Sequence, residues 1–215
     1  MITSPNPNQS LDPRQLPTPA EALRWLLEGN RRFVTGALRH PHQDATHRAA
    51  VAPAQRPFAV LFGCSDSRLA AEIIFDQGLG DLFVVRTAGQ VVGSEVLGSI
   101  EYAVAVLGTP LIAVLGHDSC GAVGAALQVA VDGRPPEGFI REVVERVILS
   151  VLALPPAARD DPQAAVDEHI RYTAQLLCRR SAVIAERVAD GRCGVVGLSY
   201  RLAEGGVRQV SRHGV

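Results

Sequence analysis

The chain runs to 215 residues, 47% of them apolar, which is enough for one well-packed domain and short for two. Its 21 basic residues, every one an arginine, nearly balance 22 acidic ones and form no basic block, so the footprint of a nucleic-acid binder is missing. Apolar runs such as Leu111 to Leu115 fall far short of the roughly 20 residues that a membrane span needs.

Residues 1–17 lack a basic stretch followed by an apolar one, so they read as a flexible tail with no secretory signal, and a cytoplasmic location is expected. The remainder, 18–215, reads as one domain that opens with a helical arm over 18–36. Thr18, Pro19 and Glu21 supply an N-cap hydroxyl, a proline at the first helical position and an acid at the third. They predict a helix from about Pro19 to Val34, with Leu23, Leu26, Leu27 and Phe33 on one side and Gly36 as a left-handed cap. Such an arm can lie on its own domain or across a partner.

From Phe58 onward, apolar runs alternate with helical spacing. Strands are expected at Phe58 to Phe62, Leu82 to Val85, Leu111 to Leu115 and Gly194 to Leu198. Helices are expected at Leu69 to Phe75, Ser94 to Leu107, about Glu137 to Leu152 and Pro162 to Ala189. This βαβ rhythm predicts an α/β fold, a central mostly parallel β-sheet flanked by helices, with the N-terminal helical arm beside it.

Two constellations carry chemistry. Gly63-Cys64-Ser65-Asp66-Ser67-Arg68 follows the strand FAVLF, and Gly116-His117-Asp118-Ser119-Cys120-Gly121 follows the strand LIAVL. Cys64 and Asp66, two apart on extended chain, point the same way; His117 and Cys120, three apart, fit one face of an opening helical turn. Both lie at the carboxyl ends of parallel strands, where open α/β sheets form their crevice. If the strand after Leu69 to Phe75 pairs on one side of the Cys64 strand and the His117 strand on the other, the two loops diverge at a switch point and build a pocket.

Two thiolates and an imidazole suit tetrahedral zinc, with a fourth position left for water or for Asp66. Three plainer readings compete: small buried thiols beside a core histidine, a Cys64–Cys120 disulfide, which a reducing compartment disfavours, and a purely structural zinc. The last is normally closed by four Cys or His ligands and has no use for an Asp-x-Arg pair.

The motif CSDSR, followed about fifty residues later by GHDSCG, resembles the signature of the β-class carbonic anhydrases, and the likeness runs from the first helix through RTAG (Arg86 to Gly89) to VVGLSYRL. The resemblance implies one zinc per chain on Cys64, His117 and Cys120, with Asp66 and Arg68 as a carboxylate–guanidinium pair beside it. Asp66 can alternatively serve as the fourth ligand. It implies a carbonate dehydratase, a zinc lyase that hydrates carbon dioxide reversibly to bicarbonate and a proton by attack of zinc hydroxide. It further implies that Gln55 reaches the substrate in a neighbouring subunit of a homodimer or tetramer of dimers. The Gly121 amide, at a helix start, is a second donor to the developing anion. A carbon disulfide or carbonyl sulfide hydrolase on the same zinc, and a non-catalytic zinc module that responds to bicarbonate, are the alternatives. Neither nucleic acid nor membrane is an expected partner.

Two positions depart from the family pattern. Ala122 replaces a glycine after the last ligand, and Leu61 replaces the Trp of a secondary bicarbonate pocket whose Arg and Tyr match Arg86 and Tyr200. The triad His40, His42 and His47 has irregular spacing and reads as a solvated loop, and Cys178 and Cys193 read as buried, unreactive thiols. His169 and His213 are able to relay protons, with nothing in the sequence placing either near the motifs.

Overall fold

The computed structural model describes residues 16–215; the tail assigned to 1–17 lies almost wholly outside them. Helix α1 (Pro19–Val34) starts in a full capping box: Thr18 Oγ1 accepts from the Glu21 amide while the Glu21 carboxylate accepts from the Thr18 amide. Gly36 follows its end with φ +70°. Part of its apolar side packs on this chain, with Ala22, Leu23 and Leu26 buried and Leu27 and Phe33 half-buried. Buried Asn30 fixes it there by donating to the carbonyls of Ile74 and Gly205 and accepting from the Val207 amide.

The sheet has five strands in the order β2-β1-β3-β4-β5. Strands β1 (Ala59–Cys64), β2 (Leu82–Thr87), β3 (Leu111–His117) and β4 (Gly194–Tyr200) are parallel, and β5 (Val207–His213) closes one edge antiparallel to β4. Every residue of β1, β3 and β4 is buried, so the middle of the sheet is covered on both faces, as its unbroken apolar runs require. Strand β2, at the other edge, is half-buried.

Four expected elements are redrawn. The segment after the first motif is helical only at α3 (Ala71–Ile74), since Leu69 and Ala70 stay in the turn that follows Asp66. The Ser94 to Leu107 helix is α4 (Ser94–Glu101) followed by a wide π turn over Tyr102–Val106. Helix α6 (Ile140–Ala153) starts later than Glu137 because Gly138 turns the chain at φ +63°. The last helix breaks into α7 (Pro162–Arg180) and α8 (Ala182–Ala189) at Ser181, which leaves helical geometry at ψ 111° and caps α8 by accepting from the Ile184 amide. Helices α2 (Ala45–Val51) and α5 (Gly121–Asp132) complete the set. Among the described residues, no helix is long and apolar enough to cross a membrane.

Candidate metal centre

The strand order sets the site. With β2 on one side of β1 and β3 on the other, the loops after β1 and β3 part at a topological switch point, and their motifs meet at its mouth. The ligand atoms of Cys64, His117 and Cys120 all lie within 4.8 Å of one another, and all three residues are buried.

Each is held by its own local geometry. Cys64 ends β1, opposite Thr87 of β2. His117 ends β3, opposite Tyr200 of β4, and its Nδ1–H donates to the Asp118 carbonyl at 2.8 Å, leaving the lone pair on Nε2. Between the second and third candidate ligands the chain reverses through Ser119 at φ +55°. Asp118 secures that strained turn: its amide donates to the Tyr200 carbonyl and its carboxylate accepts from the Leu202 amide at 2.8 Å. Cys120 then stands at the N-cap position of α5, at the positive end of that helix.

The donor set fits a soft divalent cation on two observations. His117 Nε2 is completely buried and has no hydrogen-bond partner, although it faces two sulfurs. The sulfurs also divide one proton unequally. Donation from the Cys120 thiol pulls Cys64 down from 9.0 to about 4, with burial opposing and His117 assisting. The same contact with Cys64, and then burial, pushes Cys120 far above the ordinary thiol range. Burial lowers the His117 pKa, but the neighbouring Cys64 sulfur more than offsets this and leaves it raised. Two sulfurs and an imidazole at this spacing match a tetrahedral zinc site with one position open.

Asp66 stands beside the cluster and is turned away from it. Arg68 grips its carboxylate with Nε on Oδ1 at 2.9 Å and Nη2 on Oδ2 at 2.7 Å, and the Arg68 amide adds a third bond at 2.9 Å. Those bonds, the guanidinium's first, hold Asp66 well below the usual carboxylate range. Its Oδ2 is 3.9 Å from His117 Nε2, and it is not one of the three clustered ligands. Arg86 fixes the loop beneath by donating to the carbonyls of Cys64 and Asp66 at 3.0 and 2.5 Å. Gly121 opens α5 next to Cys120, exposed and with free space around it. Gln55 is exposed on the loop before β1.

The other candidates fall elsewhere. His42 and His47 stack at 4.2 Å; His42 pairs with Asp81 at 2.8 Å and His47 with the Leu79 carbonyl at 2.9 Å. Cys193 is buried and its thiol is pushed up to about 12 by burial, whereas Cys178 is only half-buried, less enclosed than expected, because it sits near the end of α7. His213 ends β5, paired with Val195. Leu61 is buried in the middle of β1, and Tyr200 at the end of β4.

Sequence reasoning did not place two residues beside this centre. Gly89, in the left-handed region at φ +59°, points its amide at Cys64 Sγ, 3.4 Å away. His169 of α7 reaches the Gly89 carbonyl at 2.7 Å. The RTAG segment was the available signal for Gly89; His169 was singled out only as able to relay protons, with no signal for its position.

A family model described as carbonic anhydrase matches residues 59–207. The chain is 56% identical over 191 residues to carbonic anhydrase 2 of Mycobacterium tuberculosis, covering 87% of this chain and 90% of that one. Among solved structures, the Coccomyxa β-carbonic anhydrase in complex with acetazolamide is similar with a TM-score of 0.69 and 27% identity, covering 87% of this chain and 86% of the other. One of the tetrameric β-carbonic anhydrases of Sordaria macrospora shares the fold with a TM-score of 0.66 at 23% identity, covering 88% and 96%.

Proposed function

The chain belongs to the β-class carbonic anhydrases, and from this premise we propose that it hydrates carbon dioxide to bicarbonate and a proton at one zinc ion held by Cys64, His117 and Cys120. The observation that carries the reading is the buried, partnerless Nε2 of His117 facing two sulfurs beside an Asp66–Arg68 pair. Zinc bound there would supply Lewis acidity, bringing a coordinated water from 15.7 toward about 7, a value known for zinc-bound water in carbonic anhydrase and not one worked out from this site.

The residues of this chain supply orientation and charge. Asp66, kept ionised by Arg68, is able only to accept, so it would accept a hydrogen bond from the attacking oxygen, which keeps its own proton, and thereby orient a lone pair toward the carbon. The Gly121 amide, at the positive end of α5, is placed to donate to the oxygen on which negative charge develops. Asp66 becomes a fourth ligand only by giving up Arg68, and that exchange would shut the site.

Assembly into a homodimer or a tetramer of dimers is part of the same proposal. Its support is the edge strand β2 with half-buried Leu82, Phe83, Val84 and Val85, and exposed Ile73, Tyr102 and Val106 on neighbouring elements. The exposed Gln55 would enter the neighbouring subunit's site from the loop before β1. The four cysteines, all free, suit the reducing cytoplasm proposed for the protein.

Stopped-flow hydration of carbon dioxide by zinc-loaded protein, alongside turnover of carbon disulfide and carbonyl sulfide, tests the reading. Rapid zinc-dependent hydration is expected. Full zinc occupancy with no hydration would overturn it.

A further inference from the structure

We propose that His169 is a positioning residue for the metal centre: by holding the Gly89 carbonyl it aims the Gly89 amide at the Cys64 sulfur. The inference rests on Cys64 being a metal ligand.

The chain of contacts is short and wholly buried. The Gly89 carbonyl is only an acceptor, so His169 Nε2 carries the hydrogen in their 2.7 Å bond. Burial disfavours the charged ring, which leaves Nδ1 bare and in need of a donor. The Ser150 hydroxyl, 2.9 Å away, is the one that meets it. That hydroxyl is also 2.6 Å from the Val147 carbonyl, but has a single proton. The carbonyl, inside α6, has a helical amide available, whereas Nδ1 has no other partner, so the proton belongs on the Nδ1 side. Ser150, His169 and Gly89 therefore form a line of donors, Ser150 O–H to Nδ1 and Nε2–H to the carbonyl, which ends at the metal-binding loop.

Gly89 is the link that turns this line toward the sulfur. A Cβ there would lie 2.6 Å from that of Ala122, so the backbone itself approaches the cluster with no side chain between. At φ +59° and ψ 26° its amide and carbonyl serve two partners from opposite sides, Cys64 and His169. Releasing the carbonyl frees ψ and with it the direction of the amide. A thiolate that accepts an amide hydrogen bond carries less charge on sulfur, and a ligand's outer partners hold its orientation.

The test compares His169→Gln with His169→Met in the full chain. The Gln amide is able to donate to Gly89 and accept from Ser150, so it reproduces both bonds; Met fills similar volume and makes neither. Zinc affinity is measured by competition with a chromophoric chelator, and the cobalt(II)-loaded protein gives the sulfur-to-cobalt charge-transfer band. The Met variant should bind zinc about 10- to 100-fold more weakly and shift the band to longer wavelength, because the Cys64 sulfur keeps more charge. The Gln variant should restore both. Should the Met variant fail to fold, His169→Asn makes the same cut more gently, since its amide still takes the Ser150 proton but is too short for Gly89. A folded Met or Asn variant with wild-type affinity and an unshifted band overturns the inference, as does a Gln variant no better than Met. A wild-type cobalt protein without any sulfur charge-transfer band instead refutes the metal-ligand reading beneath it.

Discussion

Gly89→Ala tests how tightly the loop is pressed onto the metal centre. Two independent penalties apply. A non-glycine residue at φ +59° costs about 1–2 kcal/mol. Its Cβ would sit 2.6 Å from Ala122 Cβ and 3.3 Å from Val147 Cγ2, a clash between packed groups that costs about 1–3 kcal/mol to relieve. The sum is a loss of about 2–5 kcal/mol, read by urea denaturation of metal-free protein at one fixed protein concentration. The penalties separate by removing the opposing methyl. Ala122→Gly in the Gly89→Ala background should recover most of the steric share, less the cost of the new glycine, while the strain at φ and the approach to Val147 remain. Ala122→Gly alone should cost less than about 1 kcal/mol, as it lies in the first turn of α5. The reasoning is refuted if Gly89→Ala unfolds with the wild type, or if the second change recovers nothing.

Cys120→Ser exchanges a thiolate for a poor zinc ligand and should strip both metal and hydration activity; full zinc content by elemental analysis would contradict the ligand assignment. Arg68→Lys keeps the charge but loses the two-pronged grip on Asp66, and about a 10- to 100-fold fall in kcat/KM is expected in the stopped-flow assay, with Arg68→Ala no milder. Zinc binding should release about one proton from the thiol pair at neutral pH, because Cys64, pulled to about 4, is already a thiolate while Cys120 is held protonated. Since protons leave on binding, affinity must rise with pH, by about tenfold per unit or more where His117 also deprotonates. Calorimetry in buffers of different ionisation enthalpy counts the protons, and a pH-independent affinity would be the contrary result.

The strands that carry the candidate ligands were legible because they are buried on both faces: FAVLF and LIAVL have no polar residue to disguise them. Strand β5 has the opposite character. Its sequence VRQVSRH mixes arginines with valines along a half-exposed edge, and a bulge opposite Gly197 and Leu198 breaks its alternation, so no period marks it. Helix α2 is short and buries none of its residues, which leaves no apolar face to read. The three clustered candidate ligands were legible for a chemical reason, since each motif sits at the carboxyl end of a strand. The residues that steady them were not. Asp118 reaches Leu202, and Gly89 reaches Cys64 and His169, across separations of 84, 25 and 80 residues that only the folded sheet closes. The arm's role was legible only in part. Its apolar stripe fitted either its own domain or a partner, and what ties its buried side to this chain is Asn30, a polar residue that periodicity passes over.

What brings α7 close enough for His169 to touch the centre is a pair of glycines in the strands below it. A Cβ at Gly116 would lie 2.5 Å from Ile170 Cγ1, and one at Gly197 would lie 2.7 Å from Ile170 Cγ2. Ile170 is fully buried over both positions, so α7 rests on bare backbone of β3 and β4. Any side chain at either glycine would lift the helix by about a methyl's thickness, enough to break a 2.7 Å bond from the residue next to Ile170. Gly116 also immediately precedes His117, so one glycine serves two purposes. It gives the helix its seat at the point where the strand delivers its ligand. The geometry of the candidate metal centre at the sheet's mouth is thereby tied to packing in its middle. A change at Gly197, far from the candidate ligands in sequence, should be felt at Cys64 through Ile170, His169 and Gly89, in that order.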